Sequence, residues 1–226
     1  RTVRVALTPT LRTSIATEVG TFDYSAGVNL GLRLPVWAGA DVEWRLDQEL
    51  ARTDNFQPTG AFGNRRIRSG TERLTFTQTV RLPVETWLAP GNDLLARRWG
   101  LGSVFAQATA GRIGHHFDGV LASARWEPGE GLHRVSAQAG YFRNSDFGSV
   151  LGEPKTARPF LAQYRYNVAP TRTYLEATAG QFMNNDTGVQ FGMRQWFSDL
   201  SVGVYYRRSK FSNAAARSFV GMELSI

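Results

Sequence analysis

The chain has 226 residues, of which 42% are hydrophobic, 20% charged and 12% aromatic, and its formal net charge is +7. It contains no Cys, which removes disulfide scaffolds, zinc knuckles, iron–sulfur sites and thiol nucleophiles. No apolar run approaches the ~18–20 residues of a membrane-spanning helix, and the aromatic content argues against disorder.

Apolar and polar residues alternate from end to end, the mark of strands with two unlike faces. This period predicts twelve strands, over 2–12, 24–35, 38–50, 71–82, 100–112, 117–126, 133–143, 159–167, 173–182, 187–196, 199–208 and 216–226. In the second, Tyr24, Ala26, Val28, Leu30, Leu32 and Leu34 share one face. In the third, Ala40, Val42, Trp44 and Leu46 oppose Asp41, Glu43, Arg45 and Asp47. A strand buried on both sides of a soluble core cannot carry such a charged face.

Short joins are predicted at 36–37, 128–131, 168–171 and 197–198, and long loops at 13–23, 51–70 and 144–158. The join over 83–99 is also long and breaks the alternation. An even strand count, strands of about ten residues, and short turns opposite long loops describe an outer-membrane barrel. The expected fold is all-β: a transmembrane antiparallel up-and-down β-barrel of about twelve strands. It forms one domain over 1–226, with both termini on the periplasmic side.

Trp126, Tyr166 and Trp196 fall at strand ends near short turns, and Tyr24, Tyr141 and Tyr206 at the opposite ends. Two aromatic girdles at the lipid headgroups account for this placement. A soluble barrel would turn its apolar face inward, and periodicity alone does not tell inside from outside. The aromatic ends and the Gly, Ser, Thr and Gln of the polar faces favour the membrane form.

With the apolar face toward lipid, the lumen collects Arg4, Arg12, Arg33, Arg45, Arg73, Arg81, Arg125, Arg134, Arg165, Arg194 and Arg207. Asp41, Glu43, Asp47, Glu176 and Glu223 oppose them. A charge on the lipid face near the bilayer midplane costs about 2–4 kcal/mol, so the sorting is required. One account of the lumen is a paired structural network. The other uses the surplus of arginines as a path for sugar carboxylates or phosphates. Arg65, Arg66 and Arg68 form the densest cationic cluster and are the loop candidates for the same ligand.

Several segments resemble the YjbH/WbfB family of outer-membrane exopolysaccharide-biosynthesis proteins. They include Gly20-Thr21-Phe22-Asp23-Tyr24-Ser25, Arg33-Leu34-Pro35-Val36-Trp37 and Trp126-Glu127-Pro128-Gly129-Glu130-Gly131. Gly140-Tyr141-Phe142-Arg143-Asn144, Arg194-Gln195-Trp196-Phe197-Ser198-Asp199 and Tyr205-Tyr206-Arg207-Arg208-Ser209 continue the series in order. The resemblance is to the C-terminal part of a longer member, which implies a fragment or processed piece of a longer precursor. It implies the outer membrane of a Gram-negative cell and a role in producing or exporting an extracellular polysaccharide. It supplies no catalytic residues.

Rival chemistry is thin. His115 and His116 with Asp118 are the one cluster of catalytic appearance. Adjacent residues on a strand face opposite ways, and two His with one Asp fall short of a three-ligand zinc site plus water. A solvated turn accounts for them. Asp41, Glu43 and Asp47 could form a glycosidase set, but Arg45 shares their face. Gly100-Leu101-Gly102 has no helix after it, so a phosphate loop fails. No basic run or basic helix supports nucleic-acid binding.

The expectation is therefore a non-enzymatic outer-membrane barrel, without cofactor or metal, in exopolysaccharide production, export or surface anchoring. Its partners would be outer-membrane lipids, acidic exopolysaccharide, and other secretion proteins or further domains of the precursor. A hydrolase using His115 or His116, or a sealed scaffold barrel in a secretion complex, is the alternative.

Overall fold

A computed structural model of the chain describes residues 2–18, 20–63, 66–84, 102–148, 154–211 and 214–225. Within these residues thirteen strands form one sheet in which neighbours in sequence are neighbours in space. They are β1 (Arg4–Thr17), β2 (Gly20–Trp37), β3 (Ala40–Arg52), β4 (Gly70–Leu82), β5 (Ser103–Gly114), β6 (Phe117–Glu127) and β7 (His133–Asn144). There follow β8 (Thr156–Ala157), β9 (Phe160–Val168), β10 (Thr173–Gln181), β11 (Thr187–Phe197), β12 (Leu200–Lys210) and β13 (Arg217–Ser225).

The path is antiparallel and up-and-down, with β8 a two-residue spur on β7. It starts at β1 and ends at β13, which are not paired with each other among the described residues. No helix there is long and apolar enough to cross a membrane, which says nothing about strands.

The twelve predicted strands all recur, and β8 is the addition. The predicted loop over 13–23 is the main correction. There β1 and β2 stay paired through Ser14↔Asp23, Ile15↔Phe22 and Thr17↔Gly20, so the ladder runs through most of that span. Thr, Ser and Gly, read as loop signals in sequence, are here ordinary strand residues held by the ladder. Most of the join over 83–99 lies outside the described residues. The predicted join at 36–37 is a correction: Val36 and Trp37 belong to β2 and the turn falls at 38–39, while the joins at 128–131, 168–171 and 197–198 fall within a residue of the observed turns. Gly39 and Ser198, at φ 78° and 56°, supply the left-handed backbone that two-residue hairpin turns need.

The chain divides into two compact units. One comprises 1–78, 109–120 and 143–155; the other comprises 79–108, 121–142 and 156–226. In the second unit, Val135, Tyr164, Leu175, Phe191 and Val204 stand exposed on one face. The intervening Ser136, Gln163, Glu176, Gly192 and Arg207 are more covered. In the first unit, Leu7, Leu34, Leu74 and Phe76 are exposed, while Asp23, Ser25, Asp47, Thr75 and Thr77 are buried. A water-soluble sheet protein has the opposite distribution.

Buried apolar residues are few. Phe56 and Ile67 are each 1% exposed, and Phe56 meets Phe62 at a ring-centroid distance of 5.5 Å. They belong to the loop between β3 and β4, which begins with a 3₁₀ turn at Asp54–Phe56. Asp23 anchors that loop by accepting hydrogen bonds from Thr53 Oγ1 (2.8 Å) and Asn55 Nδ2 (3.0 Å). Ser25 Oγ accepts from the Ile67 amide (3.0 Å) and donates to Glu49 (2.8 Å). The loop thus folds onto the polar face of β2.

The girdle residues Trp126, Tyr141, Tyr166 and Tyr206 lie exposed on apolar faces. Trp196 does not join them. It pairs with the buried Ser201 and shares the Arg194 face, while Phe197, 58% exposed, takes the outer position.

Candidate functional site

Two polar clusters follow from this sorting, one in each unit. In the first unit, register places Arg33 opposite Glu43, Gly31 opposite Arg45, and Asn29 opposite Asp47 on one face. Arg33 pairs with Asp41 at 2.6 Å. Glu43 holds Arg45 at 2.6 Å and Arg73 at 3.6 Å. Asp47, nearly buried, accepts from Asn29 Nδ2 at 2.6 Å and lies 3.0 Å from His115 Nε2. Asn29, Arg33, Glu43, Arg45 and Asp47, with Arg4, Arg12 and Glu72, border a groove of about 470 Å³.

Glu72 reaches this groove through a bulge. The register shifts between Arg45↔Arg73 and Leu46↔Thr71, leaving Glu72 as the extra residue. Thr71 consequently lies on the apolar face, where Trp44 Nε1 donates to its hydroxyl at 3.3 Å. Glu72 turns to the polar face and accepts from Asn29 at 3.4 Å. Strict alternation gives the reverse.

The loop cations are partly engaged. Arg68 pairs with Asp146 at 3.1 Å, and the Arg66 carbonyl accepts from Arg12 at 3.3 Å. Arg65 lies outside the described residues. Arg112 forms two hydrogen bonds to Asp118, at 2.9 and 3.2 Å, which ties the acid of the His115-His116 turn to a guanidinium. The His116 ring packs on Phe117 at 4.8 Å.

In the second unit, Glu127 serves Arg134 in a close pair and Arg125 at 3.7 Å. Arg165 lies between Arg134 and Glu176 in register and stacks over Tyr174 at 4.5 Å. Arg194 pairs with Glu223 at 2.7 Å. Arg207 pairs with Asp186 at 2.5 Å and lies 3.4 Å over the Phe182 ring. Arg81 sits on β4 beyond Thr75 and Thr77, in the same alternation.

Of the eleven strand arginines named from sequence, seven hold a carboxylate among the described residues: Arg33, Arg45, Arg73, Arg125, Arg134, Arg194 and Arg207. Sequence reasoning missed Glu72, Glu127 and Asp186 as acids of the polar clusters. Glu127 and Asp186 border turns, and a turn position has no assigned face until the structure sets it. The arginine surplus is smaller than the strand faces alone predict. No group of three or more His, Asp or Glu is placed to hold a metal among the described residues.

The second unit also holds a cavity of about 610 Å³ that carries almost no charge. Gln107, Gln138, Gln163, Gln190 and Thr178 border it together with Phe182. Sequence reasoning passed over these glutamines as generic polar-face residues; their alternation with apolar neighbours was the available signal.

None of the curated proteins compared with the chain matches it. The model of one family, described as exopolysaccharide biosynthesis protein, matches residues 1–226, the whole length. The chain accordingly belongs to the YjbH exopolysaccharide biosynthesis family.

Proposed function

We propose that the chain is a non-enzymatic outer-membrane β-barrel that takes part in exopolysaccharide production, export or surface anchoring. The carrying observation is the inverted distribution of side chains. Large apolar residues such as Leu7 (70% exposed), Phe191 (55%) and Val220 (71%) stand outside, while Asp23, Asp47 and Asp186 are buried. Soluble monomers rarely expose contiguous apolar patches beyond a few hundred Å². Lipid tails covering these faces remove that cost. The family's link to exopolysaccharide supplies the process.

A bilayer also requires every strand edge to be paired, because an unsatisfied backbone group costs several kcal/mol in hydrocarbon. Barrel closure through β1 and β13 is part of this proposal. The arginine-bearing polar faces would then line the interior and meet carboxylates of an acidic polysaccharide. Arg4 has no ion pair among the described residues, and Arg165 has no carboxylate within pairing distance. These two are the strongest candidates for such contacts.

The hydrolase alternative has one observation in its favour, the His115–Asp47 contact of 3.0 Å. No serine hydroxyl bonds His115 among the described residues. Membrane fractionation of cells expressing the protein tests the proposal, combined with heat-dependent gel mobility and with surface polysaccharide measured after gene deletion. Recovery in the soluble fraction, or unchanged surface polysaccharide in the deletion strain, would overturn it.

A further inference from the structure

We infer that the cavity of the second unit binds an uncharged, hydroxyl-rich saccharide. The inference rests on the exopolysaccharide reading above and names a ligand class for one place in the fold. It differs from the arginine expectation, because the cavity is bordered by side-chain amides and hydroxyls.

The arrangement follows from register. Ser136 pairs with Gln163, Gln163 with Thr178, and Thr178 with Gln190. One row thus runs across β7, β9, β10 and β11, and its members alternate hydroxyl and amide. Gln138 on β7 and Gln107 on β5 add further amides at the β7 end of the row. The side-chain amides of Gln107, Gln138 and Gln190 make no hydrogen bond to the protein among the described residues. Each amide offers two donors and an acceptor with two lone pairs, and those groups open into the cavity. A sugar ring carries the same mixture on adjacent hydroxyls, so a planar amide can donate to one and accept from the next.

Charge is arranged to leave the site neutral. Arg207, the next member of the row, is turned away by Asp186 and capped on Phe182. Arg125, the one charged residue at the border, is drawn toward Glu127 at 3.7 Å and lies 5.5 Å from the Phe105 ring centroid. Phe182, 8% exposed, gives the cavity an apolar wall against which the C–H face of a sugar can pack. The volume of about 610 Å³ falls within the ~300–1,000 Å³ range of small-molecule sites. Strands lie about 4.8 Å apart, close to the length of one pyranose ring, so neighbouring strands offer one amide or hydroxyl to each successive ring.

The test is calorimetric titration of the whole chain in detergent micelles with cellotriose, mannotriose and N,N′-diacetylchitobiose, and with trigalacturonate as the anionic probe. At least one neutral probe should bind saturably. Its affinity should change less than about twofold between low and high salt, because no counterion is released. Gln163→Ala and Gln190→Ala should each weaken it about tenfold, the loss of one well-placed hydrogen bond to a ligand. Asp199→Asn, in the exposed turn between β11 and β12 and away from the cavity lining, should leave it unchanged.

Neutral binding that collapses with salt, or tighter binding of trigalacturonate through Arg125, would overturn the inference, as would no neutral binding by folded protein. A far-UV spectrum confirms that each variant is folded. Failure here leaves the proposed function standing, because fractionation and the deletion phenotype do not depend on this cavity.

Discussion

His115 Nε2 lies 3.0 Å from Asp47 Oδ2, joining the β5–β6 turn to β3 on the polar face of the first unit. Asp47 is also held by Asn29, so the carboxylate is fully engaged in tying strands together. A structural tie and a catalytic dyad make opposite predictions. His115→Ala should lower stability by about 1 kcal/mol, the net worth of one hydrogen bond, and leave surface polysaccharide unchanged. Chemical denaturation in micelles and a polysaccharide assay on the complemented deletion strain read the two effects separately. Lost polysaccharide with an unchanged denaturation midpoint would revive the hydrolase.

Glu127 is shared between two guanidiniums, Arg134 and Arg125, at the end of β6. Replacing it by Gln leaves both cations facing each other without a counter-charge. These side chains are partly exposed, so solvent screens the change, and the expected loss is about 1 kcal/mol. If the polar face lines a conduit, Glu127→Gln should also shift ion selectivity toward anions. Planar-bilayer reversal potentials under a salt gradient measure that shift. A shift toward cations would contradict the interior placement of Glu127.

The strands were legible because each carries its own period, and the short turns because positive φ favours a small set of residues. What escaped were features set by the partner strand. Thr13, Ser14, Thr17 and Gly20 look like loop residues alone, yet the ladder between β1 and β2 runs through them. Parity along β4 places Thr71 with Arg73, but one extra residue against β3 reverses it. The period put the arginines on the polar faces of their strands. Their partners were not assigned, since Glu127 ends β6 and Asp186 lies in the turn before β11, where alternation fixes no face. The glutamine row needed register, which no single strand contains.

The bulge itself is open to a direct chemical test, because the chain has no native Cys to confuse labelling. In protein reconstituted into vesicles, Glu72→Cys should react with a charged, water-soluble thiol reagent. Thr71→Cys, beside Trp44 on the apolar face, should resist it and react with a lipid-soluble maleimide. The reversed pattern would show that β4 keeps strict alternation.

Phe191 separates the membrane reading from any soluble one. It is 55% exposed, lies near the middle of β11 between Val189 and Met193, and pairs with Ala177 and Tyr206 on the neighbouring strands. On a soluble protein, an exposed Phe→Arg change away from special features stays within about ±0.5 kcal/mol. On the lipid face near the midplane it costs about 2–4 kcal/mol, because the guanidinium must leave water or thin the bilayer around itself. Phe191→Arg should therefore unfold at markedly lower denaturant than wild type in lipid vesicles. Gln190→Arg, one residue away on the polar face, should shift the midpoint little. Equal midpoints for Phe191→Arg and wild type would place that face in water.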